Sequence, residues 1–491
     1  MCAISGMISF SGDTSKIKEE HRKKILLSMK RRGPDQNGIY ETEDCILFHS
    51  RLSVIDPENG IQPMTVEKDG VKYTIVYNGE IYNCGELKKK LEGEDFDTSC
   101  DTEVVLRLFI KYGEKSVSML NGIFAYAIWD EKRRQLFAAR DCIGVKPFFF
   151  TEKDGSFIFS SEIKTLFEYP EVRPVIDMTS VSELMLIGPG RTPGYGVFCG
   201  IKELEPGQCG YVTQSENSFY SYHRLYDEPF GDSFEEAVKK VRELVIDSIE
   251  CQLVSDVPIG AFLSGGLDSS LICSVAADKF RKEGKKLTAF SVYYKDNEKY
   301  FKAGKFQPNS DNEYIDIMVK YLDCRHERVV IDTEELADAL FEAVDARDLP
   351  GMADVDSSLL CFCREVKKNC TVVLSGECAD EIFGGYPWFR DRSVSRKKGF
   401  PWAQTTDWRA GFLKKELSDK IDVDGYVDGK YSETIKNAPV IADCGDDNRH
   451  TKLMMYLNMK WFMQTLLDNK DIKENKILTT QNPMRDNDVR F

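Results

Sequence analysis

Residues 263–270 read Leu-Ser-Gly-Gly-Leu-Asp-Ser-Ser, and the second half of the chain is organised around this stretch. An apolar run at 257–262 precedes it, and a helix-like segment at 271–280 follows it. A strand, a tight turn and a helix start aim free backbone N–H groups and the positive end of a helix at one point. Gly265 and Gly266 let an anion approach the backbone closely. The stretch therefore predicts a phosphate cradle.

The cradle is expected to bind pyrophosphate rather than a γ-phosphate. The Walker pattern places a lysine before its Ser or Thr, whereas this turn carries Leu267 and Asp268. A carboxylate beside a polyphosphate requires a cation between them, so we expect Mg²⁺ at Asp268. The same residues also fit an ordinary glycine turn with serine caps between a strand and a helix. The full stretch resembles the PP-loop of ATP pyrophosphatases, which favours the cradle.

Length and composition narrow the class of protein. The 491 residues are too many for one ordinary core, so we expect two domains. A net charge of −15 and a pI near 5.1 leave no basic excess for a nucleic-acid backbone. No apolar run reaches membrane-spanning length, and residues 1–12 lack a signal-peptide pattern, so we expect a cytoplasmic protein without a membrane partner. The 15 scattered cysteines, without a Cys-x-x-Cys pair, argue against a disulfide framework and a zinc site.

The first half begins with a candidate nucleophile. Removal of Met1 would leave Cys2 with both its thiol and a free α-amino group. An amine with a pKa of about 8 can accept the thiol proton, so one residue supplies nucleophile and base. Position alone fits a buried structural cysteine equally well.

Six spaced motifs follow Cys2. They are Arg-Arg-Gly-Pro-Asp at 31–35, Arg-Leu-Ser-Val-Ile-Asp at 51–56, Tyr-Asn-Gly-Glu-Ile-Tyr-Asn at 77–83, Cys-Asp-Thr-Glu at 100–103, Gly-Ile-Phe-Ala-Tyr-Ala-Ile-Trp-Asp at 122–130 and Ala-Arg-Asp at 139–141. The series resembles the class II glutamine amidotransferases over residues 2–205. The resemblance implies a glutaminase domain with the N-terminal nucleophile fold.

The resemblance also implies the role of each residue. Cys2 would attack the glutamine amide, while the Asn78 side chain and the Gly79 N–H would stabilise the oxyanion. Arg51 would hold the α-carboxylate by paired hydrogen bonds, and Asp101 would accept from the α-ammonium. The implied glutamine-binding set is Arg51, Leu52, Ser53, Val54, Ile55, Asn78, Gly79, Glu80 and Asp101. Taken singly, Asp101 also fits a cap on a helix near Thr102, and Arg51 fits a surface ion pair.

Apolar patterning predicts the layers of the first half. Alternating runs predict strands at 73–77, 122–129, 136–139 and 148–150, and amphipathic stretches predict helices at 18–30 and 102–112. Two packed sheets covered by helices make a four-layer αββα sandwich. No strong period follows at 207–232, so we expect the first domain at 1–206 and a boundary segment at 207–232.

The second domain, 233–491, is expected to be an α/β domain. It opens with Ser233 as a cap and an apolar helical stripe that we expect in the core, formed by Phe234, Val238, Val241, Val245 and Ile249. Strand patterns at 287–293, 327–331 and 372–374 then alternate with helix patterns at 312–322 and 334–344. Such alternation predicts a doubly wound parallel sheet whose ligands collect at the carboxyl ends of the strands. The loop after the last of these strands brings Asp380 to the same edge as Asp268, and two such carboxylates suit a bridging Mg²⁺.

To about Asp471 the whole chain resembles the glutamine-hydrolysing asparagine synthetases. The resemblance implies that ATP activates the aspartate side chain as β-aspartyl-AMP with release of pyrophosphate, and that ammonia from glutamine completes asparagine. Glu377 matches the acid that the family needs near this intermediate. The resemblance implies that adenosine contacts Phe262, Val292, Ser375 and Gly376. It implies that the ATP phosphates contact Ser264, Gly265, Gly266, Leu267, Asp268, Ser269 and Ser270, with Asp268 and Asp380 on the metal.

Two departures from the family accompany this resemblance. Cys378 stands where the family usually has glycine, which puts the conformation of its loop in question. Beyond Asp471 the family pattern is lost, so we expect a synthetase domain that is incomplete at its C-terminus, with weak or uncoupled synthesis. Two other functions fit the same residues: an amidotransferase acting on another carboxylate, and a truncated paralogue that keeps a glutaminase but serves as a regulatory subunit. Glutamine, aspartate and ATP are the expected small-molecule partners, and a homodimer is compatible with the sequence.

Overall fold

The computed structural model describes residues 2–11, 14–229, 231–304, 310–440 and 445–467, and the backbone of a strand at 479–481. The chain forms two compact units. The first comprises residues 1–177 and 193–224, and the second comprises 178–192 and 225–491. Each unit has its own sheets and its own core.

The first unit contains two six-stranded antiparallel sheets among its described residues. The strands are β1 (Ala3–Ser9), β2 (Gln36–Glu41), β3 (Cys45–Arg51), β4 (Met64–Lys68), β5 (Val71–Ile81), β6 (Gly122–Asp130), β7 (Gln135–Arg140), β8 (Phe149–Lys153), β9 (Ser156–Ser160), β10 (Lys202–Glu203), β11 (Gln208–Val212) and β12 (Asn217–Ser221). The strand orders are β10-β8-β9-β1-β3-β2 and β12-β11-β7-β6-β5-β4. The helices are α1 (Glu19–Met29), α2 (Cys84–Lys90), α3 (Asp101–Tyr112) and α4 (Ile163–Leu166).

The two sheets pack face to face and helices cover their outer faces. Alternation along β5 shows the layering: Val76 lies in the core between the sheets, while Ile75 and Tyr77 lie in the core beneath α2 and α3. Helices α1 and α4 contact β3 and β9 of the other sheet. The predicted αββα sandwich is confirmed.

The predicted boundary segment, 207–232, contains two strands of this sandwich. Strand β11 pairs with β7, and β12 pairs with β11. Because both strands belong to the sheet, the first unit extends to Arg224. In the other direction, residues 178–192 belong to the second unit although they lie within the predicted first domain, 1–206. The sequence showed no strong period in 207–232 because β11 and β12 are short strands at the edge of their sheet.

The second unit is built on a parallel sheet in the order β15-β14-β13-β16-β17. Its strands are β13 (Ile259–Phe262), β14 (Thr288–Tyr294), β15 (Arg325–Ile331), β16 (Val372–Leu374) and β17 (Thr479–Gln481). Its helices are α5 (Met178–Leu186), α6 (Phe234–Cys251), α7 (Leu267–Lys282), α8 (Asn297–Tyr300), α9 (Asn312–Leu322), α10 (Thr333–Asp338), α11 (Leu340–Arg347), α12 (Ala353–Val366), α13 (Ala379–Phe383), α14 (Pro387–Arg390), α15 (Arg392–Ser395), α16 (Thr406–Ala410), α17 (Lys415–Ser418), α18 (Val423–Lys436) and α19 (Asp446–Leu457).

The order of the strands creates a switch point beside β13. The chain runs outward from β13 to β14 and β15, and then returns to β16 on the other side of β13. Separate clusters of buried side chains join the sheet to α7 and α9, and to α10, α11 and α12. The predicted doubly wound parallel fold is confirmed, and its ligand crevice is expected at the carboxyl ends of β13 and β16.

Two details of the second unit differ from the prediction. The helix predicted at 334–344 is two helices, α10 and α11, which meet at Ala339. The core stripe predicted on α6 is wrong for the first half of that helix: Ile249 is buried, whereas Phe234 is 78% exposed and Val238 is 51% exposed. An apolar helical stripe shows which face of a helix is hydrophobic, and only tertiary packing decides how far along the helix that face is covered.

This burial gradient makes a testable prediction. Ile249→Ala should lower the free energy of unfolding by about 2–5 kcal/mol, because it opens a cavity under α6. The matched exposed change, Val238→Ala, should stay within about 0.5 kcal/mol of the parent protein. Urea unfolding followed by tryptophan fluorescence measures both values, since Trp388 and Trp461 lie in the same unit. Equal losses in the two variants would contradict the observed burial.

Candidate active sites

Cys2 lies directly before β1, and the pairing of β1 with β3 sets its neighbours. Ala3 lies opposite Ser50, so Cys2 comes next to the residues that follow β3. Its Sγ is 3.8 Å from the Leu52 carbonyl oxygen. Burial raises the pKa of the Cys2 thiol, while the Leu52 contact and the charge of Arg51 act in the opposite direction.

Arg32 also holds this residue in place. Its side chain is fully buried, and its Nε donates to the Cys2 carbonyl oxygen at 3.3 Å. Arg32 belongs to the 31–35 motif, for which the sequence suggested no role. No local sequence signal could have identified it, because its partner lies 30 residues away in the chain.

Arg51 is buried, which excludes a surface ion pair. Its Nη1 donates to Gln36 Oε1 and to the Pro57 carbonyl oxygen, both at 3.0 Å. Its Nη2 donates to the carbonyl oxygens of Ile55 and Asp56 at 2.9 and 2.7 Å. The guanidinium therefore shapes loop 55–57, and an α-carboxylate has to compete with these oxygens for it.

Asp56 joins this loop to the segment that precedes Asp101. Its Oδ2 accepts from the N–H and the hydroxyl of Ser99, both at 2.9 Å. Its Oδ1 accepts from the N–H and the side-chain amide of Asn59 at 3.1 and 3.0 Å. These bonds, above all that from the Ser99 N–H, lower the pKa of Asp56. This role was not predicted from the sequence, although an Asp three residues before Asn-Gly is a typical turn signal.

Asp101 begins α3, yet its carboxylate turns to β5. Its Oδ2 accepts from the Tyr77 hydroxyl at 2.7 Å and from the Ile81 N–H at 3.1 Å. Burial raises the pKa of Asp101, and the bonds from Tyr77 and Ile81 oppose that rise. The carboxylate thus spans the strand segment that holds Asn78, Gly79 and the buried Glu80.

Asn78 and Gly79 have the properties expected of an oxyanion site. Asn78 is fully buried, and within the described part of the chain neither polar atom of its side chain has a hydrogen-bond partner. Leaving a buried polar group unpaired costs about 1–3 kcal/mol, which suits a group kept for a ligand. A side chain at position 79 would lie 2.4 Å from the Ile123 carbonyl oxygen, so only glycine allows β6 to approach here.

The remaining residues of the predicted glutamine set lie in the segment after β3. Leu52 and Val54 are buried, and the Ser53 N–H donates to Asp35 Oδ2 at 2.8 Å. Ile55 contributes its carbonyl oxygen to Arg51. The structure thus places the 31–35 and 51–56 motifs together around Cys2.

In the second unit, hydrogen bonds between two serines join the two ends of the predicted cradle. Strand β13 ends at Phe262, and Gly266 is the residue before α7. The hydroxyl groups of Ser264 and Ser269 are 2.9 Å apart, and the Ser264 N–H donates to the Ser269 hydroxyl at 3.1 Å. Gly265 has a φ of +80°, and a side chain there would lie 2.9 Å from Tyr314 Cβ. This turn therefore requires glycine.

The positions predicted to contact adenosine lie on three neighbouring strands. Phe262 ends β13, Val292 lies on β14, and Ser375 and Gly376 follow β16 directly. A side chain at position 376 would lie 3.1 Å from the Ser269 backbone nitrogen. The loop after β16 therefore touches the first turn of α7, where Leu267 is exposed and Ser270 is partly buried.

The two predicted metal ligands influence each other. Burial raises the pKa of Asp268, and the charge of Asp380 raises it further. Burial also raises the pKa of Asp380, against the opposing charge of Arg390. No group of three or more metal-binding side chains occurs within the described residues. Two carboxylates fit Mg²⁺, which commonly takes its other ligands from substrate phosphates and water.

Glu377 lies on the same loop as Asp380. It is partly buried, and its N–H lies 3.4 Å from the Ser375 hydroxyl. The strand end therefore presents Ser375, Gly376 and Glu377 in succession to the crevice beside the cradle.

Comparison with known proteins identifies the family of the chain. A family described as glutamine amidotransferase domain matches residues 1–223, and a family described as asparagine synthase matches residues 240–475. The chain is 46% identical to the Bacillus subtilis protein asparagine synthetase [glutamine-hydrolyzing] 3, over 96% of this chain and 77% of that relative. The chain belongs to the glutamine-hydrolysing asparagine synthetase family.

Other members of this family are more distant. Asparagine synthetase [glutamine-hydrolyzing] 1 of B. subtilis is 36% identical over 76% of this chain and 57% of that protein. The Zea mays member is 32% identical over 82% of this chain and 62% of that protein. The chain therefore spans about six-tenths of the length of these two relatives.

Two solved structures also match, at low identity. One is described as the allosteric regulatory enzyme of purine biosynthesis, at 15% identity and a TM-score of 0.36, over 67% of this chain and 80% of that one. The other is the glutamine phosphoribosylpyrophosphate amidotransferase from B. subtilis, at 14% identity and a TM-score of 0.36, over 79% of this chain and 97% of that one.

Across the described residues, no helix has the length and apolar character to span a bilayer.

The structure answers the question that Cys378 raised about the conformation of its loop. Its φ is +73°, in the left-handed region, and its side chain is buried. The loop thus keeps the conformation that glycine adopts easily, at a strain cost of about 1–3 kcal/mol for a residue with a side chain. The loss of the family pattern expected beyond Asp471 falls on residues that lie outside the described ones, apart from the backbone of 479–481, and the match to the asparagine synthase family extends to residue 475.

The strain at Cys378 predicts that two substitutions change the free energy of unfolding by different amounts. Cys378→Gly should keep the free energy of unfolding within about 1 kcal/mol, because relief of strain offsets loss of the buried thiol. Cys378→Val should destabilise by more than about 2 kcal/mol, because a β-branched residue fits the left-handed region poorly. Thermal unfolding of both variants measures the difference. A glycine variant less stable than the valine variant would contradict the assigned backbone conformation.

Proposed function

We propose that the protein synthesises asparagine from aspartate and ATP, with ammonia that it takes from glutamine. The observation that carries this proposal is the contact of the loop after β16 with the first turn of α7, which brings Asp380 to Asp268 in a chain that also carries the Cys2 site. Family membership supports the same activity. The first unit would be the glutaminase domain, and the second would be the synthetase domain.

In the glutaminase step, the sulfur of Cys2 would attack the amide carbon of glutamine. The free α-amino group of Cys2, exposed when Met1 is removed, would accept the thiol proton. The Asn78 amide and the Gly79 N–H would donate to the oxyanion, and the unpaired Asn78 side chain supports this role. Loss of ammonia leaves a thioester that water hydrolyses to glutamate.

Residues around Cys2 would bind the two charged groups of the glutamine substrate. Asp101 and Glu80 would accept from the α-ammonium group. Arg51, at the head of the segment that contains Leu52, Ser53, Val54 and Ile55, would donate to the α-carboxylate. Because loop 55–57 now holds the Arg51 guanidinium, binding of the carboxylate would require these bonds to rearrange.

In the synthetase step, ATP would lie along the carboxyl ends of the strands. Phe262, Val292, Ser375 and Gly376 would contact adenosine, and Ser264 to Ser270 would contact the phosphates. The aspartate side-chain carboxylate would attack the α-phosphorus, so that the α–β bond breaks and pyrophosphate leaves. Mg²⁺ held by Asp268 and Asp380 would supply charge neutralisation on the pyrophosphate oxygens.

Glu377 would serve the second half of this step. Ammonia would displace AMP from the acyl carbon and lose a proton. A carboxylate on the loop beside the adenylate can accept that proton.

One exchange experiment separates this function from its alternatives. Pyrophosphate exchange into ATP that depends on aspartate supports asparagine synthesis. Exchange with another acid instead indicates a different acceptor carboxylate, and no exchange with any acid indicates a glutaminase or regulatory protein.

The nucleophile is tested by substitution. Cys2→Ala should abolish glutamine hydrolysis and leave synthesis from free ammonia intact, because the ATP site lies in the other unit. Cys199→Ala is the matched control, since Cys199 is exposed in the same unit and should keep full glutaminase activity. Measured glutamate release and the intact mass of the N-terminal peptide report activity and removal of Met1. Unchanged glutamate release from Cys2→Ala would exclude this nucleophile.

The site of ATP cleavage is tested by its products. AMP and pyrophosphate should form in equal amounts, and Asp268→Asn or Asp380→Asn should lower Mg²⁺-dependent turnover by at least about tenfold. Asp278→Asn, an exposed change on the same helix as Asp268, should have no effect. Formation of ADP and inorganic phosphate would reject the assignment of a pyrophosphate cradle.

A further inference from the structure

A chain of hydrogen bonds crosses three strands and ends at the start of the cradle. His326 on β15 has its Nε2 2.9 Å from the Ser291 hydroxyl on β14. The Ser291 hydroxyl donates in turn to the Leu263 carbonyl oxygen at 2.5 Å. Leu263 follows β13 and opens the cradle, and its N–H donates to the Phe290 carbonyl oxygen at 2.8 Å. Both backbone polar groups of Leu263 are therefore held by β14.

The direction of each hydrogen bond in this chain is fixed. A carbonyl oxygen only accepts, so the single proton of the Ser291 hydroxyl points to Leu263. The Ser291 oxygen can then only accept from the imidazole, which requires a proton on Nε2 of His326. Burial, with the charge of Arg328 in support, lowers the pKa of His326, so its neutral Nε2–H tautomer carries the bond.

This chain determines which way the first N–H of the cradle points. The Leu263–Ser264 peptide is planar and trans, so its carbonyl group and its N–H point in opposite directions. With the carbonyl held toward β14, the Ser264 N–H points away from β14 and reaches the Ser269 hydroxyl of α7 at 3.1 Å. The same peptide, rotated, would break this bond, which closes the cradle onto the first turn of α7.

We propose that Ser291 and His326 are positioning residues for the pyrophosphate cradle. They hold the peptide whose N–H closes the cradle onto Ser269, and they would not touch the nucleotide themselves. Ser291 is buried and His326 is partly buried, and both lie on strands beside the cradle rather than in it. This inference rests on the proposed ATP-cleaving function.

If Ser291 and His326 had only a structural role, their substitution would have a different effect. If the two side chains only stabilise the sheet, their loss lowers the unfolding temperature and leaves the affinity for pyrophosphate unchanged. If they position the cradle, their loss weakens pyrophosphate and ATP binding in protein that is still folded, while the KM for aspartate stays the same.

The experiment compares four variants in the full chain. Ser291→Ala and His326→Leu should each raise the KM for ATP about threefold to tenfold, the effect of one lost hydrogen bond. They should also reduce the rise in unfolding temperature that magnesium pyrophosphate produces. The conservative variants Ser291→Thr and His326→Gln keep a hydroxyl and an N–H donor, and should restore both values to within twofold of the parent.

A double variant and a control complete the test. Ser291→Ala combined with His326→Leu should be no worse than Ser291→Ala alone, because His326 acts only through Ser291. Thr434→Val removes a comparable hydroxyl, one that donates to the Lys430 carbonyl oxygen and accepts from Trp461 Nε1, and should leave the KM for ATP unchanged. Additive losses, or a KM for ATP within twofold of the parent in Ser291→Ala, would overturn the proposal. Absence of aspartate-dependent exchange in the parent protein would instead reject the proposed function.

Discussion

The second unit depends on one close approach between backbone segments. At Gly376 the loop after β16 comes so near α7 that a side chain would lie 3.1 Å from the Ser269 nitrogen and 3.2 Å from Asp268 Cβ. This approach joins the ends of β13 and β16, Phe262 and Leu374, which are 112 residues apart in the chain. The cradle and the segment from Ser375 to Glu377, which are proposed to serve the nucleotide, lie at this junction.

A second close approach organises the first unit in the same way. Gly79 lets β6 approach β5, while the pairing of β1 with β3 places Cys2 beside the 51–56 segment. The site is then stiffened by ionic groups bonded to backbone atoms: Arg51 binds carbonyl oxygens, and Asp56 accepts N–H groups. Buried charges of this kind need such partners, since an unpaired charge in a protein interior is strongly unfavourable. Asn78 differs because its buried amide has no partner within the described residues, which supports its proposed role in binding the oxyanion.

Both sites combine rigid strands with residues in demanding conformations. Gly265 and Cys378 have positive φ values at the two loops that form the crevice of the second unit. Glycine satisfies this demand easily, whereas cysteine keeps the same geometry only because the surrounding packing holds it. The hydrogen bonds from His326 through Ser291 to Leu263 also make this region rigid, because they fix the Leu263–Ser264 peptide group in the absence of a ligand.

Local sequence patterns were sufficient to predict the αββα sandwich and the parallel sheet, because strand periodicity and glycine-rich turns are local properties. Strand β16 and helix α9 fall on the residues predicted for them. Spaced motifs also named most of the residues proposed for both sites. Tertiary packing was needed to establish that residues 178–192 belong to the second unit, that Val238 is exposed, and that the Arg51 guanidinium binds its own loop. Arg32, Asp56, Ser291 and His326 were found in the same way. Their partners are distant in sequence, or their role depends on which atom a side chain meets, and no local pattern of residues contains that information.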